Sequence, residues 1–426
     1  MPMLTDIRAD FPILTRTVRN GKPLVYLDSA ATSQRPTQVL DAVADFERLH
    51  NAAVQRGAHL LAEEATEAFE GARASVARLV GATDDREIVW TGNATAAVNL
   101  VANGMANASA GIGGSDSERF RVGPGDSIVV TETEHHANLI PWQQLCARTG
   151  ATLKWIEVDD LGQMRLEQLD TLIDDTTKMV AFTHASNVTG LVTDVAPFVE
   201  RAREVGALTF LDACQSVPHM PVDFPALGVD FAAFSGHKML GPTGVGALWG
   251  RVPLLDTLPP SIFGGGTVKV VTLEETTWME APSRFEAGSQ PVAQAVGMGV
   301  AAEYLMALGM DNVAEHERRI GQILRQGVSD LPGIRLLGPV GDPNARDVLG
   351  LAAVFVDGVH SHDVGQVLDD AGIAVRVGHH CNQPLHRRLG AQSSTRASAH
   401  VYTTEDEARL FVETLATVRP FFGMSS

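Results

Sequence analysis

The sequence predicts an α/β protein, a mostly parallel sheet flanked by helices with a smaller C-terminal α/β domain behind it. Three observations predict it. From about residue 62, short β-branched runs alternate with helix-length amphipathic segments, the pattern of repeated strand–helix units. The chain has 426 residues, 45% of them apolar, enough for a large core. Polar residues able to do chemistry stand just after successive strand-like runs, where open α/β sheets bind their ligands.

Each element follows in order. The opening MPMLTDIRADFPIL carries Asp6 and Asp10 where a secretory leader needs a basic start and an unbroken apolar run, so it is expected to belong to the mature fold. EEATEAFEGARASVARLV (63–80) sets Ala65, Phe69, Ala72, Val76 and Leu79 at three- and four-residue steps, an amphipathic helix. DREIVWTG, DSIVVTE, TLKWIEV, KMVAFTH, LTFLDA and FAAFSG read as short strands separated by helix-length text. SAGIGGSDSERFRV (109–122) is rich in Gly and Ser and is expected to be an exposed, inserted loop without function. Around 300–330 the text becomes one long helical run, followed by strand-like text and a last helix opened by Thr404 and Glu407, a capping box. This divides the chain into a large domain over 20–300 and a small one formed by 1–19 with 301–426. No internal repeat is visible.

Composition excludes some functions. A formal net charge of −18 argues against nucleic acid or an anionic membrane as partner, and no window approaches the roughly 20 apolar residues of a membrane span. Cys146, Cys214 and Cys381 are few, odd in number and widely spaced, which suits a reducing cytoplasm.

Five strand ends carry the candidate site: Thr95; His135 and His136; Asn187; Asp212 and Gln215; and Ser235, His237 and Lys238. Lys238 stands among an adjacent histidine and nearby glycines that let backbone approach a ligand, and a buried lysine can lose its proton to become an imine-forming amine. An amine beside phosphate donors suggests pyridoxal phosphate. That cofactor asks for a carboxylate at its ring nitrogen, which Asp212 can supply, and for phosphate donors, which the helix start at TGNATAAVNL and the Thr95 hydroxyl offer. Taken singly, Asp212 and Thr95 are as readily helix caps. His135 could stack on a ring or simply be solvated.

VRVGHHCNQPL (375–385) holds Cys381 after two histidines. A metal pair is a poor reading, because adjacent side chains rarely converge on one tetrahedral ion. A core cysteine would lie in an apolar run, whereas these neighbours are Gly, His, Asn and Gln. A polar loop with two imidazoles and Arg376 nearby favours the thiolate, so the reactive reading has the better chemistry.

Taken in order, LDSAATSQRP (27–36), EHHANLIPW (134–142), THASN, LDACQ, FSGHKMLGPTGVGALWG, FEAGSQP and VRVGHHCNQPL closely resemble SufS-type (group II) cysteine desulfurases, class V enzymes of pyridoxal phosphate fold type I. The resemblance runs from DFPIL to the last helix. It implies that Lys238 holds the cofactor covalently and Asp212 partners its ring nitrogen. Asn187 and Gln215 match residues on the phenolic oxygen side of the ring, and His135 the stacking histidine. Thr95, Ser235 and His237 match the phosphate ligands, joined by Ser289 from a partner subunit. Arg396, in STRASAH, matches the arginine that binds the substrate carboxylate, with Arg376 and Asn187 beside it, and Cys381 matches the nucleophile that receives sulfur from L-cysteine. Lys238 and His135 complete the catalytic set, and no metal is implied.

The resemblance further implies a cytoplasmic homodimer that feeds iron–sulfur cluster assembly through a SufU- or SufE-type acceptor, with His362 in HSHDV (360–364) helping to engage it. Departures from the family pattern are Ser289 for threonine, Gln55 for histidine, Ala94 for threonine, and Asn382 after the cysteine where alanine is common. Rival readings are a selenocysteine lyase or other class V lyase, a non-catalytic sulfur carrier or scaffold, and a zinc-binding module.

Overall fold

The computed structural model describes residues 4–339 and 348–424. Its centre is a seven-stranded sheet. The strands are β1 (Ile88–Thr91), β2 (Ser127–Thr131), β3 (Thr152–Ile156), β4 (Thr177–Thr183), β5 (Leu208–Asp212), β6 (Phe231–Ser235) and β7 (Gly246–Gly250). Their spatial order is β1-β7-β6-β5-β4-β2-β3. All run the same way except β7, which is antiparallel to both neighbours.

Alternation along the strands decides the two faces. Val180, Phe182, Leu211 and Phe234 pack with Phe69, Phe198 and Met298 on one side; Met179, Ala181, Phe210 and Ala233 pack with Val98, Met105 and Trp142 on the other. Successive side chains of a strand point to opposite faces, so a sheet covered on both sides needs near-continuous apolar runs. The first face carries α1 (Leu60–Leu79), the second α2 (Ala94–Ser109) and α3 (His136–Thr149). The six sequence-read strands all form. Strand β7 is an addition: its text, GALWG, has too many glycines to read as a strand. Gly246 is required because a Cβ there would meet the Phe234 carbonyl at 2.7 Å and the Asn93 backbone at 2.8 Å.

The expected loop at 109–122 is exposed over most of its length but is anchored at three buried positions. Residues Gly114–Phe120 form a 3-10 turn, Phe120 and Val122 are buried in the core, and Ser117 Oγ donates to the Thr257 carbonyl at 2.8 Å. The apolar residues near the end of the segment outweigh its Gly and Ser content. Beyond β7, β8 (Val268–Val271) and β9 (Thr276–Trp278) make an antiparallel hairpin that leaves Val270, Val271 and Leu273 exposed.

The long helical run is two helices, α4 (Val292–Leu308) and α5 (Met310–Ser329), bent by 79° at Gly309, whose φ is 80°. No single helix among the described residues is long and apolar enough to cross a membrane; this bent pair passes by length and composition together, and its Met298, Ala302, Ile320 and Leu324 are wholly buried in the protein.

The second sheet, antiparallel in the order β10-β11-β13-β12, contains β10 (Ile334–Leu336), β11 (Leu351–Val356), β12 (Arg376–Gly378) and β13 (Ser394–Ser398). Helix α5, α6 (Ser361–Asp370) and α7 (Glu405–Ala416) cover it through Ile320, Leu368 and Phe411. The Thr404–Glu407 capping box is present. Val25–Tyr26 pairs in parallel with Ile373–Ala374, and Val25 and Leu27 lie in this second core. Residues 25–27 thus contact the small unit by a pairing too short to leave a periodic signal, whereas Phe11 and Leu14 before them pack in the first core with Phe69 and Met298.

Candidate active site

A cavity of about 430 Å³ opens at the carboxyl ends of β1, β2, β4, β5 and β6, the edge where the sequence placed its donors. Thr95, His135, Asn187, Asp212, Gln215, Ser235, His237 and Lys238 line it from the large unit, and Arg376, Cys381 and Arg396 from the small one. Ser289 is the exception. It lines a separate cleft together with Gln55, near Glu286, which Arg73 anchors in a buried two-pronged ion pair at 2.7 and 3.0 Å.

On the large-unit side, Asp212 ends β5 and is buried, its Oδ1 accepting the Cys214 N–H at 3.0 Å. Gln215 Nε2 donates to the Ala30 carbonyl at 3.0 Å, while its Oε1 is buried without a partner. His135 caps α3, its Nδ1 accepting from the Ala137 N–H at 3.0 Å, so the neutral ring carries its proton on Nε2. Burial, then the nearby Lys238, push its pKa down to about 4. His237 is pushed down to about 4 for the same two reasons. Asn93 caps α2 by accepting from the Ala96 N–H, and Ser235 Oγ accepts from the Ala94 N–H at 2.9 Å, leaving its own proton to give. The Ala94 N–H is thereby spent on Ser235, so it does not stand in for the missing hydroxyl. Lys238 ends a one-turn helix, Gly236–Lys238, directly after β6.

The cysteine loop is held from below. His380 and Cys381 both adopt left-handed backbone, φ 50° and 56°, a conformation that costs energy outside glycine and persists where surroundings enforce it. The enforcement is visible. The Cys381 carbonyl accepts from the His136 N–H at 2.8 Å, the His380 carbonyl from Asn187 Nδ2 at 2.7 Å, and Asn382 Nδ2 donates to the Thr133 carbonyl at 2.7 Å. Asn382, a departure with no sequence rationale, is fully buried and ties the loop to the end of β2. Asn187, expected at the cofactor ring, lines the cavity but spends its amide donor on the loop. Cys381 itself is exposed. Cys214 is half-buried, and burial followed by Asp212 push its thiol far up, away from the thiolate.

Arg396 is buried on β13. Its Nη1 donates to the Asn187 carbonyl at 2.8 Å, its Nη2 lies 3.5 Å from Asp28 Oδ1, and its Nε has no partner. Burial pulls its pKa down to about 10, against the pull of Asp28. Arg376 is its register partner on β12.

The aminotransferase class-V family model matches residues 25–411. The chain belongs to that family. Among its class-V relatives, a probable cysteine desulfurase of Mycobacterium leprae is 53% identical over 420 residues, covering 99% of this chain and 97% of the relative. A probable cysteine desulfurase of Streptomyces coelicolor is 47% identical over 427 residues, covering 99% of each. Among solved structures, the apo cysteine desulfurase of Thermococcus onnurineus superposes with a TM-score of 0.89 at 35% identity, covering 98% of both chains. Escherichia coli CsdA, also a cysteine desulfurase, gives 0.87 at 33% identity over 99% of both. This class-V chain therefore has the expected fold, a mostly parallel sheet flanked by helices with a smaller α/β unit.

Three buried polar atoms on the cavity lining have no partner: Gln215 Oε1, His380 Nδ1 and Arg396 Nε. Buried polar groups without partners are rare in finished structures, so a polar occupant fits here. A carboxylate, an amine and a helix start with a free hydroxyl are the donor set that pyridoxal phosphate needs. Sequence reading missed Asp28, Ser394 and His386. Only the unusual Asn382 hinted at the network beneath the loop.

Proposed function

We propose that this class-V protein is a SufS-type, pyridoxal 5′-phosphate-dependent cysteine desulfurase that converts L-cysteine to L-alanine and stores the sulfur on Cys381. The observation that carries it is the meeting of Lys238, Asp212, Arg396 and the exposed Cys381 thiol on one cavity. Lys238, Asp212, Gln215, His135, Thr95, Ser235 and His237 would hold the cofactor, with Asn187 at its edge. Bound pyridoxal 5′-phosphate would supply an electron sink for the substrate's Cα.

The chain's own groups do the rest. Arg396, with Arg376 beside it, takes the substrate carboxylate. The Lys238 amine takes the Cα proton and is placed to return one. Neutral His135 offers its Nε2 proton. The Cys381 sulfur takes the substrate sulfur: a carbon–sulfur bond breaks, a sulfur–sulfur bond forms, and L-cysteine plus thiol become L-alanine plus persulfide with atoms and electrons in balance. Mass spectrometry of the Cys381 peptide after L-cysteine treatment checks it: one added sulfur atom and an equivalent of alanine are expected, and alanine without added sulfur would overturn the persulfide step.

The partner subunit is a second copy of the chain. Ser289 lies outside its own cavity, and the exposed apolar residues Val270, Val271 and Leu273 of the β8–β9 hairpin suit burial against another protomer. The stored sulfur then goes to a SufU- or SufE-type acceptor for iron–sulfur cluster assembly. His362, exposed at the start of α6 with its ring stacked 5.3 Å from that of His360, supports contact with that acceptor because α6 packs against β12, the strand leading to Cys381. His362→Ala should lower acceptor-stimulated turnover several-fold and leave the unstimulated rate alone; equal stimulation would remove His362 from the contact. Three unpaired cysteines, one exposed, suit a cytoplasmic location.

A further inference from the structure

Outside the cavity described above, three buried side chains of ligand type meet between the two units. His219 comes from the turn after β5, Glu317 from α5, and His400 from just past β13. One ligand atom of each lies within 4.8 Å of the other two. His219 Nδ1 is 2.8 Å from Glu317 Oε1, and His400 Nδ1 is 3.7 Å from the same oxygen. All three side chains are 3% exposed or less. Among the described residues, the ion pairs of Glu317 involve only these two histidines, so no permanent cation stands beside its carboxyl, and ionising that buried group is expensive unless a cation compensates it.

Two further features are those of a metal centre. A separate cleft of about 540 Å³, with Asp311, Glu315 and Arg318 on its lining, reaches His219 and Glu317; it gives an entry path and room for a water ligand. His400 Nε2 lies 3.2 Å from the Lys238 carbonyl oxygen, and a ligating histidine characteristically donates its other ring N–H to such an acceptor, which fixes its orientation. The Nδ1 atom faces Glu317 and accepts from the Val401 N–H at 2.9 Å, a local contact that an ion would displace.

We propose that His219, Glu317 and His400 bind a divalent transition-metal ion of the zinc type, with water from the adjoining cleft as fourth ligand. Two imidazoles and a carboxylate suit that class of ion. Such an ion sits one imidazole away from the main chain of Lys238, so its occupancy bears on the placement of the lysine at the heart of the active site. The proposal stands apart from the desulfurase reading, because none of the three residues lines the catalytic cavity.

The test is equilibrium dialysis of the cofactor-loaded protein against Zn²⁺ with metal analysis, on wild type, His400→Ala, Glu317→Gln and Cys381→Ser. One ion per chain is expected in wild type and Cys381→Ser. Affinity should fall by more than about tenfold in the other two, the loss seen even for outer-shell partners of metal sites. Should either core variant fail to fold, the wild-type protein loaded with Co²⁺ decides: nitrogen and oxygen ligation without a thiolate charge-transfer band supports the site, and a thiolate band places the metal on cysteine and overturns it. No bound zinc in wild type, or binding lost in Cys381→Ser and kept in His400→Ala and Glu317→Gln, also overturns it.

Discussion

Arg376 and Arg396 are register partners on the adjacent antiparallel strands β12 and β13, so two guanidinium groups share one edge of the cavity. Like charges placed directly opposite on a sheet oppose folding. Asp28, 3.5 Å from Arg396, balances part of that charge, and the Arg396 Nε remains without a partner. A carboxylate ligand would complete the set.

Arg396→Gln should therefore weaken substrate binding more than chemistry. A hydrogen bond to a charged group is worth roughly 1.5–3 kcal/mol, so kcat/KM for L-cysteine should fall on the order of 10- to 100-fold, mainly through KM. Arg376, exposed on its strand, should cost less when changed to Gln. Steady-state kinetics on both variants decides, and equal, small effects would remove the carboxylate assignment.

Beneath the cysteine loop, proton positions form one consistent chain. His386 Nδ1 donates to the Asn382 carbonyl at 2.8 Å, so its Nε2 accepts the Ser394 hydroxyl proton at 2.9 Å, and Ser394 Oγ in turn accepts from His380 Nε2 at 2.8 Å. Burial holds His380 strongly toward its neutral form, as this chain requires. Ser394→Ala strands two buried ring nitrogens, which should cost about 1–3 kcal/mol for an unmet group. Denaturant unfolding measures that loss, and turnover should fall as well because the strained backbone at Cys381 loses support. A variant as stable and as active as wild type would show that the chain is incidental.

The pH dependence of stability has a definite sign. Burial pushes His135, His184 and His237 down to about 4 from an ordinary 6.5. The unfolded chain takes up these protons below 6.5 while the folded chain refuses them, so this stability is full above 6.5 and drains as pH falls toward 4. Glu134, raised to about 8 by burial, works in the opposite direction. Its contribution is lost as pH rises toward 8, but it is one group against three. Unfolding free energy should be lower at pH 5 than at pH 7; a flat or inverted profile would contradict the burial of these imidazoles.

The sequence was most legible where local pattern and burial agree. β-branched runs such as LTFLDA and KMVAFTH became buried strands, and donors immediately after them reached one cavity because a parallel sheet gathers its strand ends. Reading failed where tertiary contacts override composition. Gly246 looks like a turn residue and is a strand residue because a neighbouring backbone leaves no room for a side chain. Phe120 ends a Gly- and Ser-rich segment and is buried. Asn382, His386 and Ser394 act together across β13, the cysteine loop and the following helical turn, and His219, Glu317 and His400 come from segments far apart in the chain. No local period encodes either set. Ser289 carries the motif FEAGSQP yet lines another cleft, a placement that the strand-end rule does not predict.

The central claim is that Cys381 receives the sulfur at a site built by Lys238 and its neighbours. The most direct test measures alanine and sulfide from L-cysteine, with reductant present, for wild type and Cys381→Ser, while following the visible absorption of bound cofactor. Full absorption in both proteins with sulfide release lost in Cys381→Ser is the predicted result. Wild-type sulfide release by Cys381→Ser would leave the cofactor site standing and contradict the persulfide account.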